Sequence, residues 1–322
     1  MSKFKKVDLS KVKRYSIKER KNKVAVELFG KPISPGSVAG LPKLLDSLPH
    51  FLKANDFRAL VRRLAHAILG DRRIIIMSGA HTLKVGLSPI FIDFLRFYPK
   101  VHFATNGAGL IHDLEVAFFG STSEDVEENL KDGSFGMVKE TAQLYAAVGD
   151  IASEQGIGLG EAAGVFLERE QPEFARYSVA YNWYKNDAPY TVHISVGTDI
   201  ICQHPEYDGG KIGAGSHEDF KLFCHSVGEI KDGGVVLNIG SAVTMPEVFL
   251  KALSIARNLD STLGDYTTAN FDMLQHYRPT VNVVKRPQVL SSDGFSITGH
   301  HEIMIPFLLA AVKDAASGGI GD

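Results

Sequence analysis

The spacing of apolar residues changes several times along this chain, and the changes mark out its elements. Leu60, Val61, Leu64 and Ile68 recur at helical spacing within 57–69, closed by Gly70 and Asp71. A shorter helix is predicted before it, over 41–52. Ile74, Ile75, Ile76 and Met77 then form a continuous apolar run, the pattern of a strand buried on both faces. A helix is predicted over 89–97 and a strand over 101–105. Asn106, Gly107, Ala108 and Gly109 follow, and Leu110, Leu114, Ala117 and Phe118 resume helical spacing. Residues 121–186 read as mainly helical and polar, broken at 133–136 and 156–160. A strand over 191–196 leads into a glycine-rich loop reaching Gly215. Another strand over 234–239 turns at Gly240 and Ser241. Pro246 suits the first position of a helix whose face carries Phe249, Ala252, Leu253 and Ala256. A late strand over 280–285 and a closing helix over 303–314 complete the pattern.

Strands alternating with helices predict an α/β fold, a parallel sheet with helices on both faces. Residues 1–38, ending in Pro32, Pro35 and Gly36, read as an N-terminal extension, and 39–322 as a single domain. Ligands of such sheets bind beyond the carboxyl ends of the strands. The chemistry is therefore expected in the turns at 78–86, 105–113, 197–217, 239–246 and 285–302.

Composition narrows the function classes. Hydrophobic residues make up 44% of the 322 and charged residues 22%, with a formal net charge of -2. Such a balance gives no footprint for nucleic acid or for a membrane surface, and no apolar run approaches the ~18 residues of a spanning helix. The basic start of the chain lacks the apolar segment of a secretory signal. Cys202 and Cys224 fit neither a zinc motif nor a disulfide framework. A cytoplasmic protein with a small-molecule substrate is the expectation.

The post-strand turns resemble those of the deoxyhypusine synthase family. Met77-Ser78-Gly79-Ala80 with Gly86 is similar to its first cofactor loop. The run from Thr105 through Asn106, Gly107, Ala108 and Gly109 to His112 and Asp113 is similar to its second. Residues 185–189 leading to Thr198-Asp199, the turn at Gly240-Ser241 and the helix from Ile305 follow in the family's order over roughly residues 70–315. The resemblance implies a Rossmann-like NAD-binding fold, a homotetramer with sites between subunits, and NAD as cofactor. It implies that Gly79, Ala80, Asn106, Gly107, Ala108, Asp113, Gly240, Ser241, Lys285 and Gly299 face the cofactor. The family's reaction needs a lysine in a tryptophan-glycine-lysine segment. Here the corresponding stretch runs from Lys285 to Gly294 without it, and the single tryptophan, Trp183, lies elsewhere. Without that lysine there is no imine carrier. The resemblance thus implies a dinucleotide-using enzyme on a small amine-bearing or phosphorylated substrate, not a deoxyhypusine synthase. An acid–base or metal enzyme without NAD and a non-catalytic scaffold are the alternatives.

Three residues are candidates for catalysis. His112, behind a glycine-rich turn, faces a ligand or bonds a neighbouring backbone group. Asp199 follows a buried strand, where it binds a hydroxyl or amine, or makes a local turn. His300, in Gly299-His300-His301-Glu302, is a general acid or base or a surface residue. Adjacent histidines diverge, so His300, His301 and Glu302 make no zincin-like metal site by themselves. Glu247, just after Pro246, either holds a cationic group or complements the helix dipole.

Overall fold

The computed structural model describes residues 40–288 and 292–318, so the expected extension over 1–38 lies outside the described residues. The chain divides into residues 1–55 and 56–322. In the first, α1 (Gly40–Ser47) ends where the Ser47 hydroxyl donates to the Leu44 carbonyl at 2.7 Å. α2 (Leu52–Leu69) spans the division in sequence. There follow β1 (Ile74–Ser78), α3 (Ala80–Lys84), α4 (Ser88–Phe97), β2 (Val101–Asn106), α5 (Gly107–Phe119), α6 (Val126–Leu130), α7 (Lys139–Gln155), α8 (Leu159–Glu170) and α9 (Val179–Lys185). The second half holds β3 (Tyr190–His193), α10 (Gly209–Gly228), β4 (Val235–Ile239), α11 (Thr244–Leu259), β5 (Thr267–Asp272), α12 (Tyr277–Pro279), β6 (Asp293–Thr298) and α13 (His301–Gly318).

The six strands of the described residues form one sheet in the order β3-β2-β1-β4-β5-β6, with every neighbouring pair parallel. This is the Rossmann-type order. The apolar runs explain its centre. Ile75 and Met77 point to one face and join Ala104 and Val236 against Phe223 and Val227 of α10 and Phe249 and Leu253 of α11. On the opposite face Phe103 meets Phe91 of α4 edge-on at 5.2 Å and Trp183 of α9 at 5.3 Å. Trp183 is fully buried, and its indole N–H donates to the Val101 carbonyl at 2.9 Å. The expected fold class is the one observed.

Four local expectations are corrected. The β-branched run Thr280–Lys285 is a π-helical turn, not a strand. Within it Asn282 bonds Glu247 of α11 and accepts from Arg286, while Val283 enters the core. The late strands are instead β5 and β6. β5 hides from an apolar search because Thr267, Thr268, Asn270 and Asp272 are polar yet buried. Their demands are met locally: Thr268 donates to the Val283 carbonyl at 2.7 Å, and Asn270 pairs with Asn238 at 2.7 Å. Residues 209–215 are not loop but the first turns of α10, capped by Asp208, which accepts from the N–H groups of Gly210 and Lys211. β3 ends at His193, and Pro246 is the third residue of α11 rather than its first. Among the described residues no helix is long and apolar enough to cross a membrane.

Candidate functional site

The chain leaves β1 for β2 and β3 on one side and returns to β4 on the other. The carboxyl ends of β1 and β4 are therefore the topological switch point. Here the two turns touch. The Gly79 N–H donates to the Ile239 carbonyl at 2.9 Å, and a Cβ on Gly79 would lie 2.1 Å from the Gly240 carbonyl oxygen. Gly240 takes a left-handed φ of 65° and carries the His301 ring against it. His301 is buried; its Nε2 donates to the Phe271 carbonyl at 3.2 Å, and its Nδ1 is buried without a partner among the described residues. His81 of α3 meets this ring edge-on at 5.8 Å. Burial, then the neighbouring His301, holds the His81 pKa below its ordinary value.

Beyond β2 lies a cavity of about 480 Å³. Ala108, Ile111, His112 and Glu115 line it from one face of α5, as helical spacing dictates. Thr122, Val138, Thr141 and Asp199 line it from other segments, as does Lys84 at the end of α3. Its lining holds three carboxylates, Glu115, Glu124 and Asp199, against one ammonium, Lys84.

The entrance to α5 is built around Asp199. The Asn106 side chain caps the helix by accepting from the Gly109 N–H at 3.0 Å. Gly107 lacks a Cβ where the Asp199 carboxylate sits; one placed there would lie 2.2 Å from Oδ2. That carboxylate accepts from the backbone N–H groups of Ala108 and, at 3.4 Å, Ser195. A negative group at a helix N-terminus is favourable. Burial nevertheless dominates and pushes the Asp199 pKa upward.

His112 is held in one tautomer. The Thr122 hydroxyl donates its only proton to Glu115, so the 2.6 Å contact between Thr122 and His112 Nδ1 must be an Nδ1–H donating. Thr141 donates to the other Glu115 oxygen at 2.7 Å. His112 Nε2 is then an acceptor with no protein partner among the described residues, and burial lowers the ring's pKa so that it stays neutral. A neutral imidazole with a free acceptor beside carboxylates is equipped as a general base.

The remaining sequence candidates are dispersed. Asp113, one residue from His112, points away from the cavity. It is buried and accepts from the Ser178 hydroxyl at 2.5 Å and from the N–H groups of Val179 and Ala180 at 2.7 and 3.1 Å, capping α9. Ser241 accepts from the Met245 N–H at 3.1 Å, capping α11. Gly79, Ala80 and Gly240 stand at the switch point, and Gly299 ends β6, its N–H on the Asp272 carbonyl. His300 is exposed and lies 3.7 Å from Glu302; its neighbour His301 is the one turned inward. Lys285 is exposed and sits by the amino ends of β5 and β6, opposite the cavity, since the adjoining Val283 and Val284 carbonyls meet Thr268 and Gly294. Glu247 is held by Lys251, Arg278 and Asn282. Among the described residues no three His, Cys, Asp or Glu side chains gather to hold a metal. Glu115, Thr122, Thr141 and His81 were not foreseen, because only the fold brings them together.

No family model and no curated protein matches the sequence. Solved structures are similar over much of the chain at low identity. A candidate LOR/SDH protein from Methanococcus maripaludis S2 is 13% identical, with 83% of this chain and 70% of that one covered and a TM-score of 0.48. AgrE in ternary complex with ornithine and NAD+ is 13% identical, with 82% of this chain and 33% of that one covered and a TM-score of 0.47. A candidate deoxyhypusine synthase from Entamoeba histolytica is 12% identical, with 87% and 96% covered and a TM-score of 0.48. The chain spans about a third of the length of AgrE and of the arginine dihydrolase ArgZ. At such identities these likenesses say nothing of substrate, and the fold rests on the chain's own strand order.

Proposed function

We propose that the protein is an enzyme of Rossmann-like fold that takes a small amine-bearing substrate in the cavity beyond β2. The observation that carries this reading is the fixed tautomer of His112, whose free Nε2 opens into a cavity of three carboxylates and one ammonium. A cationic amine is attracted there and a phosphorylated substrate repelled. Asp199 holds the ammonium group, and His112 Nε2 takes the proton that makes the amine nucleophilic or oxidisable. Glu115, through Thr122, stabilises the imidazolium that forms, in the manner of a carboxylate behind a catalytic histidine.

The dinucleotide implied by the family resemblance can be tested against these residues. A pyrophosphate would be expected at the N-terminus of α5, but Asp199 already occupies that position and repels it. The residues at α5 therefore do not fit a pyrophosphate. A second reading places a dinucleotide at the switch point, favoured by the strand order and by the close turn that Gly79, Gly240 and His301 form there.

Calorimetric titration with a linear diamine, with its uncharged diol analogue and with NAD separates these readings. The diamine is expected to bind and the diol to fail. Asp199→Asn should weaken diamine binding about tenfold, equivalent to ~1.4 kcal/mol. Equal binding of diol and diamine sinks the amine reading. Binding of NAD that is lost in His301→Ala establishes the second. Native mass spectrometry of the same samples counts subunits, which tests the implied tetramer.

A further inference from the structure

A buried line of hydrogen bonds runs beside β3, apart from the cavity beyond β2. His102 Nδ1 bonds the Ser226 hydroxyl at 2.8 Å, and its Nε2 bonds the Thr191 hydroxyl at 2.8 Å. Thr191 in turn bonds His193 Nε2 at 3.1 Å. Thr191 and His193, two apart on β3, share a sheet face, and Ala104, in register with Thr191, puts His102 on that face too. α10 covers them, with Phe223 edge-on to both rings at 5.4 and 5.2 Å. All four residues are at most 4% exposed.

Both ends open. Ser226 lines a cavity of about 390 Å³ at the amino ends of β1 and β3, with Arg73, Pro189 and His225. His193 lines one of about 410 Å³ at the carboxyl end of β3, with Ser216, His217, Phe220 and Val248. His193 lines that second cavity, and its Nδ1 has no hydrogen-bond partner among the described residues.

We propose that Ser226, His102, Thr191 and His193 form a proton relay between these two cavities, with His193 Nδ1 as the group that exchanges a proton with a weakly acidic O–H or N–H of a small molecule in the second. Each member can both donate and accept, so the line reads equally well in either direction. In one direction, His193 Nδ1 takes the ligand's proton while its Nε2–H passes to Thr191. Thr191 gives its own proton to His102 Nε2, His102 passes its Nδ1–H to Ser226, and the Ser226 proton leaves to solvent in the first cavity. One proton has moved from ligand to solvent, every member is again neutral, and both imidazoles have exchanged tautomers. Burial supports this by keeping the resting rings uncharged: it lowers His102 well below the ordinary histidine value and His193 to about 3. A static network that merely satisfies core polar groups would instead fix one tautomer per ring.

The test is proton–nitrogen correlation NMR on protein with isotope-labelled histidine, the two rings assigned with His102→Gln and His193→Gln. The parent is expected to show both rings averaged between tautomers. Ser226→Ala, remote from His193, should collapse His193 to one tautomer, as should Thr191→Val, whereas Thr191→Ser keeps the hydroxyl and the averaging. Should Thr191→Val fail to fold, the serine variant and Ser226→Ala still decide. A single fixed tautomer in the parent overturns the relay, and so does averaging at His193 that persists unchanged in Ser226→Ala.

Discussion

Replacing Asp113 by alanine separates a structural role from a ligand-facing one. The carboxylate is 1% exposed and receives three hydrogen bonds, from Ser178, Val179 and Ala180. Alanine leaves two backbone N–H groups and a hydroxyl at the start of α9 without acceptors, each costing ~1–3 kcal/mol when buried. Against this, burial raises the Asp113 pKa to about 6, so keeping it ionised at neutral pH costs about 3 kcal/mol. Three such losses less about 3 kcal/mol leave a net destabilisation at neutral pH of about 0–6 kcal/mol, centred near 3. The sign of the pH effect follows from the raised pKa. Asp113 contributes most below its unfolded value, and that contribution is lost as pH rises through about 6. The alanine penalty should thus be larger near pH 5 than near pH 8. Trp183, the only tryptophan, is carried buried on α9 and reports the transition in urea by its fluorescence. Diamine binding should be retained, since Asp113 is not in the cavity wall. Unchanged stability together with lost ligand binding would refute this reasoning.

Three further outcomes are expected. Gly79→Ala forces a Cβ to 2.1 Å from the Gly240 carbonyl, backbone against backbone, and should cost several kcal/mol or prevent soluble expression, read by thermal unfolding. Gly107→Ala drives its Cβ into the Asp199 carboxylate, so the α5 entrance shifts; diamine affinity should fall about as far as in Asp199→Asn while the thermal midpoint changes less than in Gly79→Ala. His193, lowered by burial to about 3, destabilises the fold as pH drops below its unfolded value toward 3. His193→Gln should flatten the loss of stability between about pH 6.5 and pH 4, checked by unfolding across that range; an unchanged slope would remove His193 as the cause.

The legible parts of the fold were those in which burial is written in apolar side chains. β1 and β4 form the sheet's central pair, covered on both faces, and their isoleucine, valine and leucine runs say so. β5 is equally buried but satisfies its polar residues through Asn238, Gln275 and the Val283 carbonyl, partners that exist only after folding. Thr280–Lys285 shows the converse, a β-branched run whose neighbours impose a helical turn. At the site, His112 and Asp199 could be proposed from their places after strands. Asp113 could not be separated from His112 by sequence, although successive residues of a helix point about 100° apart and only one can face the cavity. Glu115, Thr122 and Thr141 fix the His112 tautomer, yet the last two come from segments that no spacing rule links to α5.

The place of β1 has a consequence for how the chain is made. Ile74 pairs with Val101 on one side but waits for Val235 on the other. During synthesis from the N-terminus, β1, β2 and β3 can assemble early, leaving one edge of an apolar strand with open N–H and C=O groups until β4 emerges. Such an edge is a template for joining another chain, and synthesis at ~5–20 residues per second keeps it bare for several seconds. Nascent chains halted just before residue 235 should therefore be the stickiest, and those extended past 239 should be relieved of it.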